Sequence, residues 1–354
     1  MKYTALLFCV TGLATSSACA ADGPVFYGRL VSGVDWTNRL GATSSTRWRS
    51  ANSQWGTSLW GMRGEATLGG GNHAVFQLES GFDVNNGADD ALFNRIARVA
   101  LVSPRYGELS LGRDMKRSDG ALWALDPGGL QFLGAATLLR GRAWGSRANA
   151  IGYRSPEWAG WTAGLQFAPG GHAGTFARGT EWSADVRYQR GPLMMTALYD
   201  TVRSDAPSGD AYDALFRHSR QYMFGATYAW RRAKFYLAYA GLRAPAARAS
   251  ADNAYAARRS DTVWAGMNWQ ASATLGLLGA VYHTRLDHGG GSATLAMVGA
   301  NYALSKRTIV YASVGSVFNR GNANFAVEAG GTAADNPLPG GTQQGAYAGV
   351  AHWF

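Results

Sequence analysis

Gly345-Ala346-Tyr347-Ala348-Gly349-Val350-Ala351-His352-Trp353-Phe354 closes the chain, and its alternation sets the reading of everything before it. Residues 346, 348, 350 and 354 share one face of an extended strand, with small or polar residues between most of them, and the last residue is aromatic. The opposite end carries a different signal. Lys2 precedes an apolar stretch from Ala5 to Ala14, followed by Ala18-Cys19-Ala20. A positive start, a hydrophobic run too short to span a bilayer and an A-x-A site predict an export signal over residues 1–20, cleaved after Ala20, with the mature domain at 21–354. Cys19 raises the alternative of a lipoprotein signal, but Ser16, three residues earlier, is not the large aliphatic such a signal uses.

Cys9 and Cys19 are the two cysteines, and both lie in the expected signal. The mature chain therefore has no disulfide, thiolate metal site or Cys nucleophile, which suits passage through an oxidising compartment. Its formal charge falls from +10 to +9 once Lys2 is removed. Lys and Arg are scattered singly rather than gathered in a run, which argues against nucleic acid and for a polar interior. No stretch approaches 18 uninterrupted apolar residues, so no transmembrane helix is expected. Glycine at 47 residues and 12% aromatic content instead give a β composition.

Period-two segments recur at 25–36, 55–68, 73–82, 94–102, 107–113, 148–155, 160–168, 181–189, 193–202, 220–230, 233–243, 260–270, 273–285, 292–302, 307–319 and 343–354. In the segment from Trp182 to Gln189, Trp182, Ala184, Val186 and Tyr188 take one face, and Ser183, Asp185, Arg187 and Gln189 the other. The connections alternate in length. Gly69-Gly70-Gly71, Ser103-Pro104-Arg105-Tyr106, Pro156-Glu157-Trp158-Ala159, Arg190-Gly191-Pro192 and Leu304-Ser305-Lys306 are short; 37–54, 83–93, 114–147, 169–180, 203–219, 244–259 and 320–342 are long. Residues 286–291 are short where a long loop is due. Tight turns at one rim and long loops at the other, over an even number of strands, describe a closed antiparallel transmembrane β-barrel of sixteen strands. Closure is obligatory in hydrocarbon, where every backbone N–H and C=O must be paired within the protein. A barrel of this size holds water. Tyr302, Tyr311, Trp353 and Phe354 are candidates for the aromatic belt at the short-turn rim.

Several motifs carry a family resemblance. Gly61-Met62-Arg63-Gly64-Glu65-Ala66-Thr67-Leu68-Gly69-Gly70-Gly71, Ala74-Val75-Phe76-Gln77-Leu78-Glu79-Ser80-Gly81-Phe82, Leu109-Ser110-Leu111-Gly112-Arg113, Tyr302-Ala303-Leu304-Ser305-Lys306-Arg307-Thr308 and His352-Trp353-Phe354 resemble the general porins of Gram-negative bacteria. The resemblance runs from about Val25 to Phe354. It departs at Ala66 and Thr67, where the family has an acidic pair, at Leu59, where it has Arg, and in the Arg content of 114–147. It implies an outer-membrane homotrimer conducting small hydrophilic solutes and ions, with Phe354 as part of the insertion signal. It also implies that 114–147, the third external loop, folds into the lumen as the constriction. The loop's own residues suit that place: Leu122-Trp123-Ala124-Leu125 and Leu138-Leu139 are too apolar for water, and Asp126-Pro127-Gly128-Gly129 supplies a turn.

Selectivity in a channel arises where it is narrow. The expected constriction acids are Asp114, Asp119 and Asp126; the expected wall cations are Arg63, Arg98, Arg113 and Arg147. Arg98 stands on the lumen parity, because Val99 and Leu101 take the lipid side, and an Arg facing lipid at mid-depth costs about 2–4 kcal/mol. By resemblance Arg113 and Arg147 sit near the eyelet. With Lys116, Arg117, Arg140 and Arg142 added by the loop, a mild anion preference is expected, although part of the basic charge suits lipopolysaccharide phosphates at the outer loops. Three rivals remain: a rim hydrolase, an adhesin with a plugged lumen, and a substrate-specific channel with a saturable site. The first has poor candidates, since His218, His283 and His288 lack a G-x-S-x-G context. No metal cluster, cofactor box or phosphate loop is legible; Gly69-Gly70-Gly71 lacks a following Lys-Ser/Thr and reads as a turn.

Overall fold

A computed structural model describes residues 23–88, 91–129, 131–139, 142, 145–174, 176–203, 218–245, 247, 249, 255–328 and 333–354. The expected export signal and Arg140 lie outside the described residues. In chain order the strands are β1 (Val25–Leu40), β2 (Ser45–Asn52), β3 (Leu59–Gly69), β4 (Asn72–Gly81), β5 (Ile96–Ser103), β6 (Gly107–Met115), β7 (Ser146–Arg154), β8 (Trp161–Ala168) and β9 (Glu181–Arg190). The second half contains β10 (Leu193–Val202), β11 (Ser219–Trp230), β12 (Ala233–Arg243), β13 (Arg259–Gln270), β14 (Leu275–Leu286), β15 (Ser292–Ser305), β16 (Thr308–Arg320) and β17 (Thr342–Trp353). Among the described residues one α-helix, α1 (Arg117–Leu125), interrupts them.

These seventeen segments form one sheet of antiparallel pairs. β2 and β3 both pair with β1, its distal part against β2 and its proximal part against β3, so together they make one stave of a sixteen-stave barrel. Closure is made by β1 and β17, in register from Arg29 opposite Trp353 to Thr37 opposite Gly345. Beyond that ladder, Gly28 N donates to Phe354 O at 3.1 Å and Phe354 N to Gly28 O at 3.2 Å. The Phe354 ring stacks on Phe26 with centroids 5.7 Å apart and lies over Gly28, where a Cβ would meet the ring at 2.2 Å.

Alternation sorts the side chains as lipid demands. On β11 and β12 the large apolar residues Phe224 and Leu237 are exposed outward, while Met223 and Ala238 between them are buried. Tight turns collect at one rim: Gly69, Gly70 and Gly71 have φ of +89°, +61° and +77°, a left-handed run that glycine takes without strain.

Two expectations are corrected. Residues 37–54 are not a long loop: β1 runs on to Leu40 and β2 returns from Ser45, leaving a tight turn at 41–44. On this hairpin Asp35, Arg47 and Arg49 alternate with the outward Trp36 and Trp48, so too few apolar residues mark the period. In the expected belt, Tyr302 and Phe354 do lie on the outer face, but Tyr311 and Trp353 point inward. Tyr311 is 1% exposed, and its hydroxyl donates to Gln54 Oε1 at 3.0 Å; the ring of Trp353 meets Trp55 edge-on at 5.4 Å. Their partners belong to residues 53–58, which break the second stave and turn into the lumen.

Candidate functional site: the loop inside the barrel

The chain leaves β6 at Met115, enters the lumen as α1 and returns to β7 at Ser146. Leu122, Leu125, Leu133, Leu138 and Leu139 are buried against the inner wall, as their apolar character requires. The wall holds the backbone as well. Trp264 Nε1 donates to Leu125 O at 2.9 Å, Asn268 Nδ2 to Pro127 O at 3.1 Å, and Phe132 N to Gln54 O at 3.1 Å. Tyr347 OH donates to Gln131 Oε1 at 2.9 Å. The loop thus spans from β9 to the break in the second stave.

Asp126 is buried at the loop tip. Its Oδ1 accepts from Gly128 N at 3.0 Å and Tyr282 OH at 2.6 Å, and its Oδ2 from Ala135 N at 3.0 Å. Asp119 is also buried and accepts from Gly145 N at 2.7 Å, joining the two arms of the loop. Gly266 makes room for the tip: a Cβ there would stand 2.5 Å from Pro127 Cγ and 2.7 Å from Gly279 O. Gly266→Val should therefore displace the tip at a cost of about 1–3 kcal/mol. The expected outcome is a raised or fluctuating single-channel conductance; an unaltered trace would mean that the tip yields freely.

The base of the loop rests on ion pairs. Arg147 is 2% exposed and donates to Glu181 Oε2 at 2.9 Å, Gln166 Oε1 at 3.0 Å, Ser183 Oγ at 3.1 Å and Asp200 Oδ2 at 3.0 Å. Arg142, on the returning arm, donates through Nη2 to Asp200 Oδ1, and Arg117 pairs with Asp185. Arg147 is therefore on the wall but behind the loop, away from the open passage.

The open wall is formed by the staves before the loop. Arg98 points into the lumen and pairs with Glu108 at 2.7 Å and Asp114 at 3.1 Å. Arg63 lies over the Tyr27 ring at 6.0 Å and has no carboxylate within ion-pair distance among the described residues. Arg95 pairs with Glu79 at 2.7 Å, and Tyr27 OH donates to the same carboxylate at 3.0 Å. Arg29 supports the inward break, its Nε donating to Thr57 O at 2.9 Å. Arg113 stands apart. In unbroken register with β5 it sits opposite Ala97, on the alternation of Leu109 and Leu111 rather than that of Glu108 and Asp114, and its guanidinium donates to Asn94 O and Ser146 Oγ. Below α1, Arg98, Asp114, Lys116, Arg117, Asp185 and Arg187 border a cavity of about 470 Å³. Thus Arg98 and Asp114 come together, while Asp119, Asp126 and Arg147 hold the loop. The lumen parity of Arg29 was readable; the pairing of Arg142 with Asp200 was not, since nothing local links them.

A family model described as Gram-negative porin matches residues 4–322. An outer membrane porin protein of Bordetella pertussis is 32% identical over 200 residues, covering 52% of this chain and 51% of that one. Outer membrane porin protein 32 of Delftia acidovorans is 31% identical over 172 residues, 46% and 48% of the two chains. The chain spans about half the length of the curated relatives it matches. Among solved structures, the anion-selective porin from Comamonas acidovorans superposes with a TM-score of 0.76 at 20% identity, over 94% of this chain and 99% of that one. OmpT of Vibrio cholerae in its trimer form gives 0.66 at 12% identity, over 94% and 99%. At these identities the likeness is one of fold.

Proposed function

The chain belongs to the Gram-negative porin family, and from that premise we propose that it is a water-filled outer-membrane channel for passive diffusion of small hydrophilic solutes and ions, with a mild preference for anions. The loop folded across the lumen of a closed barrel carries this reading, because it narrows the passage to one side, against a wall bearing Arg63 and Arg98. A charge acts on a permeating ion most strongly where the passage is narrow and least screened. Arg63 supports the anion preference more than Arg98, which already shares two carboxylates. Arg113 and Arg147 contribute through the long-range field alone, and Asp114 tempers Arg98. Asp119 and Asp126 act by shaping the constriction. Residues 1–20 serve as the export signal, Phe354 as part of the insertion signal, and the assembly is a homotrimer whose outer cations meet lipopolysaccharide phosphates.

The reversal potential of purified protein in a planar bilayer under a KCl gradient tests the sign. Chloride preference is expected, and Arg63→Glu, which changes the charge by two units, should lower the chloride-to-potassium ratio by more than about fivefold, since each unit charge near the ion is worth roughly 1 kcal/mol in water. Cation preference in the parent protein would overturn the arginine assignment. The cavity below α1 favours a second reading, a channel with a solute-binding station. Flux that saturates with solute concentration would select it; linear flux would exclude it.

A further inference from the structure

Four polar atoms lie buried without a hydrogen-bond partner around one carboxylate. They are Nε and Nη1 of Arg142 and Nε2 and Oε1 of Gln221. Both side chains face Asp200: Arg142 reaches it from the loop through Nη2, and Gln221 stands directly opposite it in the register of β10 and β11. Asp200 is fully buried, with one oxygen taken by Arg142 and the other by Arg147. The guanidinium of Arg147 is itself engaged with Glu181, Gln166, Ser183 and Asp200. Among the described residues, nothing remains to satisfy the bare N–H groups of Arg142 or the amide of Gln221.

A buried guanidinium N–H left bare is among the costliest defects in a folded protein, and such groups ordinarily have a partner. The missing partner must accept more than it donates. Arg142 presents N–H groups at two nitrogens, and Gln221 presents an NH2 whichever way its amide is turned, against one carbonyl oxygen. A cation has too few oxygens to coordinate. The charges around it balance, with Arg142, Arg147 and Lys116 against Asp200, Glu181 and Asp119, so the surplus of N–H donors beside Arg142 is what selects an acceptor. We infer that a small monovalent anion of the chloride type sits between Arg142 and Gln221, behind the loop and outside the passage.

Such a site gives the loop's returning arm a third support besides its apolar side chains and Asp200. It would fill from the same electrolyte that bathes the channel. The anchoring of the loop then depends on which anion is present, independently of whether the channel selects for anions.

Bromide makes the site visible. Crystals of the full protein grown in sodium bromide, measured at the bromine absorption edge, should give an anomalous peak in contact with Arg142 and the Gln221 amide. Gln221→Leu removes the amide donor, and its crystals should lose that peak. The parent protein should also unfold at a higher temperature in chloride than in gluconate at equal ionic strength, and this difference should shrink in the Leu variant. Ordered water there without an anomalous signal would overturn the proposal, as would bromide found at the molecular surface alone. Should the variant fail to fold, the parent crystals still decide the matter.

Discussion

Asp200→Ala should destabilise the barrel by about 3–5 kcal/mol, the usual penalty for removing one partner of a buried ion pair. The carboxylate is fully buried and lies between Arg142 and Arg147, themselves almost wholly buried. Without it, two guanidinium groups confront each other with no counter-charge on that side, and neither has water to turn to. The result should be a lower melting temperature of the folded species and a loop that no longer holds its returning arm. Asp200→Asn keeps an oxygen acceptor but not the charge and should fall between. The double variant Asp200→Ala with Arg142→Met should recover part of the loss, because it removes one stranded cation. An unchanged melting temperature in Asp200→Ala would show that water reaches this network and that the loop does not depend on it.

Asp126→Ala should have its largest effect on conductance rather than on the barrel. The substitution strips three donors of their acceptor at once: Gly128 N, Ala135 N and Tyr282 OH. A buried donor left unsatisfied costs about 1–3 kcal/mol, so the tip gains more by leaving the wall than by staying. Single-channel records should then show a larger mean conductance with frequent flicker, while the melting temperature of the barrel moves little. Tyr282→Phe removes one donor along with its need for a partner and should be milder. A quiet channel of parental conductance in Asp126→Ala would mean that Trp264, Asn268 and Tyr347 suffice to hold the tip.

The barrel was legible because lipid imposes a simple rule on every stave. The segments expected at 193–202 and 233–243 coincide with β10 and β12 to the residue. The hairpin of β1 and β2 escaped, since charged and small residues replaced the apolar half of the alternation. Parity correctly turned Arg98 inward; Arg113 was expected near the eyelet by resemblance alone, and the alternation that sets Glu108 and Asp114 beside Arg98 puts Arg113 on the other face. The loop's place was implied by the family resemblance and suited by its leucines; the tasks of its acids were legible in neither. Asp126 is held by a tyrosine 156 residues away and Arg147 by an aspartate 53 residues away, and no local pattern records such partners.

The pairing of β1 with β17 also governs how the molecule comes into being. The first strand to emerge finds its second neighbour only when the last has arrived, so the ring stays unfinished through nearly the entire synthesis and export of the chain. Contacts this distant in sequence are slow to form, and until then two bare strand edges stand ready to pair with any other chain. The polypeptide must be kept apart from its copies during that interval. In return, closure depends on the whole chain: one that stops short of β17 has nothing with which to seal β1 and keeps that edge bare.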